Sequence, residues 1–399
     1  MRFAHIADSH LGGWRIPELQ ELNMASFRKA IDYCVKSRVD FVLFAGDLFD
    51  SPYPPIEILK QAFSEFRRLK DEKIPVFIIA GSHDYSASGK TFLDVLEKAG
   101  LCVNVYSPET RDGDDTIYLN PTIIGDVAIY GFPGKKTGLE VQELRRVKLN
   151  DAPGFFKVFM LHTAIRDAVK TLPIDSVDES LLPRADYYAL GHLHIDYANG
   201  KFVYSGPTFP NNFQELEELK GGSFFIVNTN PFSYDKKLIR LKGVVYLNLE
   251  LDNALNATDF ILSELSKREL NDMIVLLRLH GSLVKGRVSN IDFVSIEKFV
   301  KERGAHSFLK TNTKLVRPEF SEVDLEITHH SLVDIEEEII TKYSLDNPSP
   351  LNTFLRPLMN SLSIDKKEDE KALVFSERLF SDVKKVLGIS SDDSEGGGG

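Results

Sequence analysis

Five places in the first 200 residues set a carboxylate, an imidazole or both at the end of an apolar run. The runs read "FAHIAD", "FVLFAGD", "VFIIAGSHD", "FMLH" and "YALGHLH". They deliver Asp8 with His10, then Asp47, then Ser82, His83 and Asp84, then His162, then His192 with His194. Five of the ten histidines stand at these places. One histidine at a run end is an ordinary surface or core residue. Five of them, interleaved with aspartates, predict a metal site. The donors are carboxylate oxygen and imidazole nitrogen, with no thiolate. That set disfavours structural zinc and suits Mn²⁺ or Fe²⁺, with Mg²⁺ less at home among imidazoles. Three or four protein ligands per ion, with Asp47 able to bridge, predict two ions roughly 3.5 Å apart. Such a pair clamps a phosphate and activates water near neutral pH.

The elements that must position these residues follow one pattern over about the first 210 residues: apolar run, polar turn, helix-like stretch. "MASFRKAIDYCVKSR" and "PIEILKQAFSEFRRLKDE" are amphipathic helices, and "GKTFLDVLEKAG" is a helix closed by its glycine. The leading strands are near-continuous Val, Ile, Phe and Ala, as expected for strands covered on both faces. This is an α/β layered domain. In open α/β sheets, ligands gather at the carboxyl ends of the strands, where the candidate donors sit.

The chain organises as a first domain over 1–210 and a smaller α+β capping domain over 211–318. A linker follows over 319–332, then a helical segment over 333–388 and a flexible tail over 389–399. In the helical segment, "LVDIEEEIITKYS", "LNTFLRPLMNSL" and "EDEKALVFSERLFSDVKKVL" read as helices. Three short helices beyond a linker bury little by themselves. Their apolar stripe, with Phe354, Leu355, Leu379, Phe380 and Val383, reads either as internal packing or as a face for a partner's groove.

The 399 residues are 43% hydrophobic and 27% charged, ordinary for a globular chain. No apolar run approaches the ~20 residues that span a bilayer. Cys34 and Cys102 read as buried thiols in a reducing compartment. The net charge of −11 argues weakly against a protein that coats DNA. Local basic clusters stand out against it. Lys135 with Lys136, Arg145 with Arg146, and Lys236 with Lys237 read singly as solvated faces and together as a phosphate track. Trp14 and Tyr53, beside the first two loops, read equally as packing and as contacts to a DNA end.

In order and spacing, Asp8-x-His10, Gly46-Asp47, Gly81-Ser82-His83-Asp84, His162 and Gly191-His192-x-His194 resemble the five motifs of the calcineurin-like metallophosphoesterases. Within that superfamily, about residues 1–385 resemble the meiotic recombination eleven family of double-strand-break repair nucleases, in an archaeal-like form. "IADSHLG", "FAGDLFD", "GHLH" and "YSGPTFP" carry this resemblance, with the capping domain and last helices. It implies two divalent ions, usually Mn²⁺. Asp8, His10, Asp47 and His194 would hold one, and Asp47, Ser82, His162 and His192 the other. His83 would approach the scissile phosphate and assist the leaving oxygen, and Asp84 would orient His83 and keep it protonated. The resemblance further implies 3′-to-5′ exonuclease action on double-stranded DNA and endonuclease action on single strands. It also implies a homodimer and a Rad-fifty-type ABC ATPase bound to the last helices.

Ser82 departs from the asparagine typical of the family. A serine hydroxyl is shorter than an amide and a weaker metal donor, so the second ion is expected to bind more loosely. Two other readings stand beside the nuclease. One is a phosphodiesterase for small nucleotides, against which the capping domain argues. The other is a catalytically weak scaffold for the ATPase, which only Ser82 supports.

Overall fold

The computed structural model of the chain describes residues 1–86, 89, 91–111, 113–135, 138–169, 174–316, 344, 349–364 and 372–387. The chain divides into two compact units, Met1–Val316 and Arg317–Gly399.

Two six-stranded sheets build the larger part of the first unit. The first contains β1 (Arg2–Ile6), β2 (Phe41–Ala45), β3 (Val76–Ile79) and β4 (Val103–Asn104), all parallel. The second is built on the parallel strands β8 (Val127–Phe132), β10 (Phe156–His162), β11 (Tyr187–Gly191) and β13 (Phe202–Tyr204). Its edges are the antiparallel strands β7 (Thr122–Ile124) and β12 (Tyr197–Asn199). A small sheet of β5 (Pro108–Arg111), β6 (Asp114–Leu119) and β9 (Val147–Leu149) stands apart.

Strand periodicity explains the layering. Phe3 and Ala7, Phe41 and Leu43, and Phe77 and Ile79 point one way and meet Ile129, Val158, Met160 and Ala189 of the second sheet. Ala4, Ile6, Val42, Phe44 and Ile78 point the other way, under helices Pro17–Lys36 and Ile56–Asp71. The second helix buries Ile58, Ala62, Phe66 and Leu69, a spacing that keeps one face on the sheet. The result is two stacked sheets with helices outside. The carboxyl ends of β1, β2 and β3 therefore lie beside those of β10 and β11.

Strands β14 (Gly222–Thr229) and β15 (Phe232–Ile239) extend the first sheet, β14 antiparallel to β1 from Arg2 opposite Asn228 to His5 opposite Phe225. The sequence reading had given these residues to the smaller domain. The pairing of β14 with β1 spans more than 200 residues of chain, and no local signal reports it.

His5 is buried between the sheets, with Nδ1 2.8 Å from the Tyr187 hydroxyl. Burial pushes its pKa down to about 3. The unfolded chain takes up this proton near the ordinary value of 6.5 and the folded chain does not, so stability falls as pH drops from 6.5 towards 3. Between pH 6.5 and 5 this one group contributes a loss of about 2 kcal/mol. Urea unfolding at both pH values is expected to show a shallower acid loss for His5→Phe than for the native chain. Parallel losses in the two proteins would show that His5 titrates in the folded state.

The smaller sheet, β16 (Val244–Glu250), β17 (Ile274–Ser282) and β18 (Ser307–Val316), is parallel. Val275, Leu277 and Leu279 pack under helices Ala257–Ser266 and Phe293–Glu302. The opposite face places Ile274 and Leu276 against Trp14, Leu19, Leu22, Phe209 and Leu216.

In the second unit, helix Leu355–Leu362 follows a short 3₁₀ turn and packs against helix Ala372–Val386. Phe354, Leu355, Leu379 and Val383 are half-buried, and Phe380 is exposed. The expected linker and tail, and "LVDIEEEIITKYS" apart from Ser344, lie outside the described residues. Among the described residues no helix is long and apolar enough to cross a membrane.

Candidate metal centre

The loops after β1 and β2 are zipped together by backbone bonds: Asp8 N–H to Gly46 O (3.1 Å) and His10 N–H to Asp47 O (3.0 Å). Asp8, His10, Asp47 and His192 all adopt positive φ (50°, 41°, 47° and 94°). Such backbone costs on the order of 1 kcal/mol per residue and clusters at functional sites. Gly81 lies so close that a Cβ there would fall 2.2 Å from Asp47 Oδ1. At Gly46, φ is +86° and a Cβ would meet His162 Nδ1 at 2.2 Å. Glycine at both positions lets the loops close around the two side chains.

Among the described residues three triads of donor atoms result, Asp8–His10–His194, Asp8–Asp47–His162 and the more open His10–Asp50–His83, each with its atoms within 4.8 Å of one another. Asp8, His10, Asp47 and His162 are buried. Hydrogen-bond partners settle the tautomers. The Nδ1 of His162 is 2.9 Å from the Ala45 carbonyl, which can only accept, so Nδ1 carries the proton and Nε2 faces Asp47 Oδ2 at 3.1 Å. His10 Nδ1 meets Asp50 Oδ1 at 3.1 Å, and His194 Nδ1 meets a Glu215 carboxylate oxygen at 2.9 Å. Carboxylates behind both rings leave the two Nε2 atoms facing each other at 3.0 Å. Two imidazole lone pairs approach this closely only across a shared proton or cation. Asp8 Oδ2 is buried without a hydrogen-bond partner, and His162 Nε2 is buried with only the Asp47 carboxylate before it. This donor set fits divalent metal ions.

The buried carboxylates and imidazoles also shift one another. Burial works to raise the Asp47 carboxyl, but His162, then His10 and His83, hold it below the usual range. Burial works to lower His162, but Asp47 and Asp8 lift it to about 10. Burial, then His162, pushes His192 down to about 4. The His192 ring sits 5.1 Å from that of His162, and its backbone N–H donates to Asp8 Oδ1 at 2.9 Å.

Ser82 and His83 reach the same pocket by different routes. Ser82 Oγ is 3.5 Å from Asp47 Oδ2. The His83 N–H donates to Asp47 Oδ1 at 2.8 Å, and its ring Nδ1 meets the Asp50 carbonyl at 2.9 Å. The His83 side chain is 48% exposed, in an open recess shared with Asp50, Ser51, Pro52 and Ser82. Asp84 does not take the role expected for it. Its buried carboxylate accepts from the N–H groups of Gly81 (2.9 Å), Phe49 (3.1 Å) and Leu48 (3.3 Å). It ties the third loop to the second, while Asp50 holds His83. Burial, then Asp47, raises the Asp84 carboxyl to about 7.

The basic residues are placed less decisively. Lys135 pairs with Glu143 at 2.5 Å, Lys236 with Asp196 at 2.6 Å, and Lys237 with Asp235. Arg145 and Arg146 line an open recess of about 820 Å³ together with Arg166 and Ser176. Lys136 lies outside the described residues. Trp14 is packed, with its ring N–H on Pro210 O at 2.8 Å, whereas Tyr53 is exposed.

The family model of the calcineurin-like phosphoesterases matches residues 1–196, which contain all of these candidate ligands. Those residues form a calcineurin-like phosphoesterase domain. Among curated proteins, this phosphoesterase is similar to the DNA double-strand break repair protein Mre11 of Methanocaldococcus jannaschii, at 28% identity over 57% of this chain and 62% of that one. It is similar to the protein of the same name from Archaeoglobus fulgidus, at 30% identity over 49% of this chain and 46% of that one. It is also similar to the Mre11 of Sulfolobus acidocaldarius, at 24% identity over 84% of this chain and 89% of that one. The match to the first two thus spans 62% and 46% of their lengths.

Three residues around the metal centre escaped the sequence reading: Asp50, Asn211 and Glu215. Asp50 ends "FAGDLFD", and Glu215 lies in "NNFQELEE", where neither carries a visible metal role.

Proposed function

We propose that this phosphoesterase is a two-metal, Mn²⁺-dependent nuclease acting at DNA double-strand breaks. Its actions would be 3′-to-5′ exonuclease on duplex DNA and endonuclease on single strands. The observation that carries the chemistry is the facing pair of His10 and His194 Nε2 atoms, each ring backed by a carboxylate. The names of the archaeal relatives supply the substrate. The sparse apolar packing of the last helices supports a bound Rad-fifty-type ABC ATPase. A homodimer rests on the family resemblance.

When bound, the ions supply an activated water and neutralise phosphate charge. The chain's own residues do the rest. Asp8, His10 and His194 would hold one ion, and Asp47, His162 and His192 the other, with Asp47 shared and Ser82 beside it. Glu215 and Asp50 keep the His194 and His10 rings aimed inwards. His83, with Nδ1 committed to the Asp50 carbonyl, presents Nε2 to the substrate. Arg145 and Arg146 offer a track for the DNA backbone.

The test is cleavage of a labelled blunt duplex and a hairpin, with and without the ATPase partner and ATP. Cleavage is expected with Mn²⁺, to fall to background on chelation, and to return with added Mn²⁺. Hydrolysis of bis-p-nitrophenyl phosphate without any cleavage of DNA would replace this reading with that of a small-substrate phosphodiesterase.

A further inference from the structure

The carboxylates behind His10 and His194 are both gripped by the segment between β13 and β14. Asn211 donates from its side chain to Asp50 Oδ1 (3.1 Å) and from its backbone to Glu215 Oε2 (2.8 Å). Asn212 closes around Glu215 from the other end. It accepts the Glu215 N–H at 2.9 Å and donates to Oε1 at 2.5 Å. Glu215 lies in the first turn of helix Phe213–Leu219, and the same helix carries Glu217.

Glu217 leads away from the metal centre. Its carboxylate accepts from the Arg278 guanidinium at 2.5 Å. Arg278 belongs to β17 of the smaller domain, on the face opposite that domain's own core. It also donates to the Tyr246 hydroxyl at 3.2 Å and lies over the Phe213 ring at 5.1 Å. Apolar packing follows the same line, since Phe209 and Leu216 share a buried cluster with Ile274 and Leu276. A helix of seven residues is too short to hold its own shape. The position of Glu215 is therefore set by what the helix packs on: Ile274, Leu276 and Arg278 of the smaller domain on one side, and Trp14, Leu19 and Leu22 on the other.

We infer that Phe209–Leu219 is a positioning element through which the seating of the smaller domain sets the aim of His194 and His10. The inference rests on the metal-centre reading above. Metal sites tolerate only about 0.2 Å of error in ligand distance, so a small shift of this helix is felt as lost affinity. Arg278 and Glu217 are then positioning residues for a centre neither of them touches.

The test is calorimetric titration of the full chain with Mn²⁺ alone, paired with the Mn²⁺ electron paramagnetic resonance spectrum. Arg278→Met is expected to weaken one binding step about ten-fold, as orienting partners of ligands do, and to leave the other unchanged. The exchanged pair Glu217→Arg with Arg278→Glu is expected to recover most of the loss. It also keeps the test open if Arg278→Met does not fold. Glu215→Gln should weaken the same step, and adding Arg278→Met to it should cost less than Arg278→Met costs alone, because the two share the Glu215–His194 bond and differ only in the Asn211–Asp50 contact to His10. A folded Arg278→Met with both steps and the spectrum unchanged would overturn the coupling, as would a loss that adds in full to that of Glu215→Gln. A native chain that binds no Mn²⁺ would instead sink the metal-centre reading.

Discussion

Asp47→Asn is expected to leave a folded protein that holds at most one ion and cleaves DNA at less than about one-thousandth of the native rate. Asp47 Oδ2 lies 3.1 Å from His162 Nε2 and 3.6 Å from His10 Nε2, and the side chain is only 3% exposed. Asp8 belongs to two of the three donor triads, and Asp47 is the second carboxylate, the one whose Oδ2 faces an imidazole of each of those two. Asparagine keeps the volume and can still accept the His83 N–H through its one oxygen. It removes the negative charge, and it turns an NH₂ group towards nitrogens that need a cation. Calorimetric titration with Mn²⁺ reads the stoichiometry, and a duplex assay reads the rate. Asp47→Asn protein that still binds two ions with native affinity would show that the ions do not share this residue.

The candidate ligands were legible in the sequence because each lies at the end of its strand or within four residues beyond it. A residue so close to the end of a parallel strand must sit at the sheet's carboxyl edge, whatever the rest of the fold does. Which rings are backed by carboxylates was not legible. Asp50 is 40 residues from His10, and Glu215 is 21 from His194. Their bonds depend on loops that meet only after the two sheets have stacked. Asp84 shows the opposite failure. Its place beside His83 suggested a partnership, but adjacent residues in a tight turn point to different sides. The Asp84 carboxylate turns inwards to three backbone N–H groups while the His83 ring turns out to the recess. Strands β14 and β15 fell in the smaller domain of the sequence reading for a related reason. A strand-forming run does not report which sheet it joins.

His83→Gln is expected to lower DNA cleavage by about 10²–10⁴-fold while both Mn²⁺ binding steps stay as in the native chain. Asp47 is held by the His83 backbone N–H, which the substitution keeps. What is lost is the ring. Its Nδ1 is engaged by a carbonyl that can only accept, so Nε2 is the atom left to meet a phosphate or a departing oxygen. His83 also stands within 4.8 Å of donor atoms on His10 and Asp50, a grouping that would suit a ligand as well as a proton donor. The titration separates these roles, because a ligand's loss removes or weakens a binding step. A second substrate separates the chemistry further. The p-nitrophenolate of bis-p-nitrophenyl phosphate departs without a proton, whereas the sugar oxygen of DNA needs one. If His83 serves the leaving group, the defect shrinks strongly on the activated ester. An equal defect on both substrates, with metal binding intact, would place His83 on the transferring phosphate and not on the oxygen that leaves.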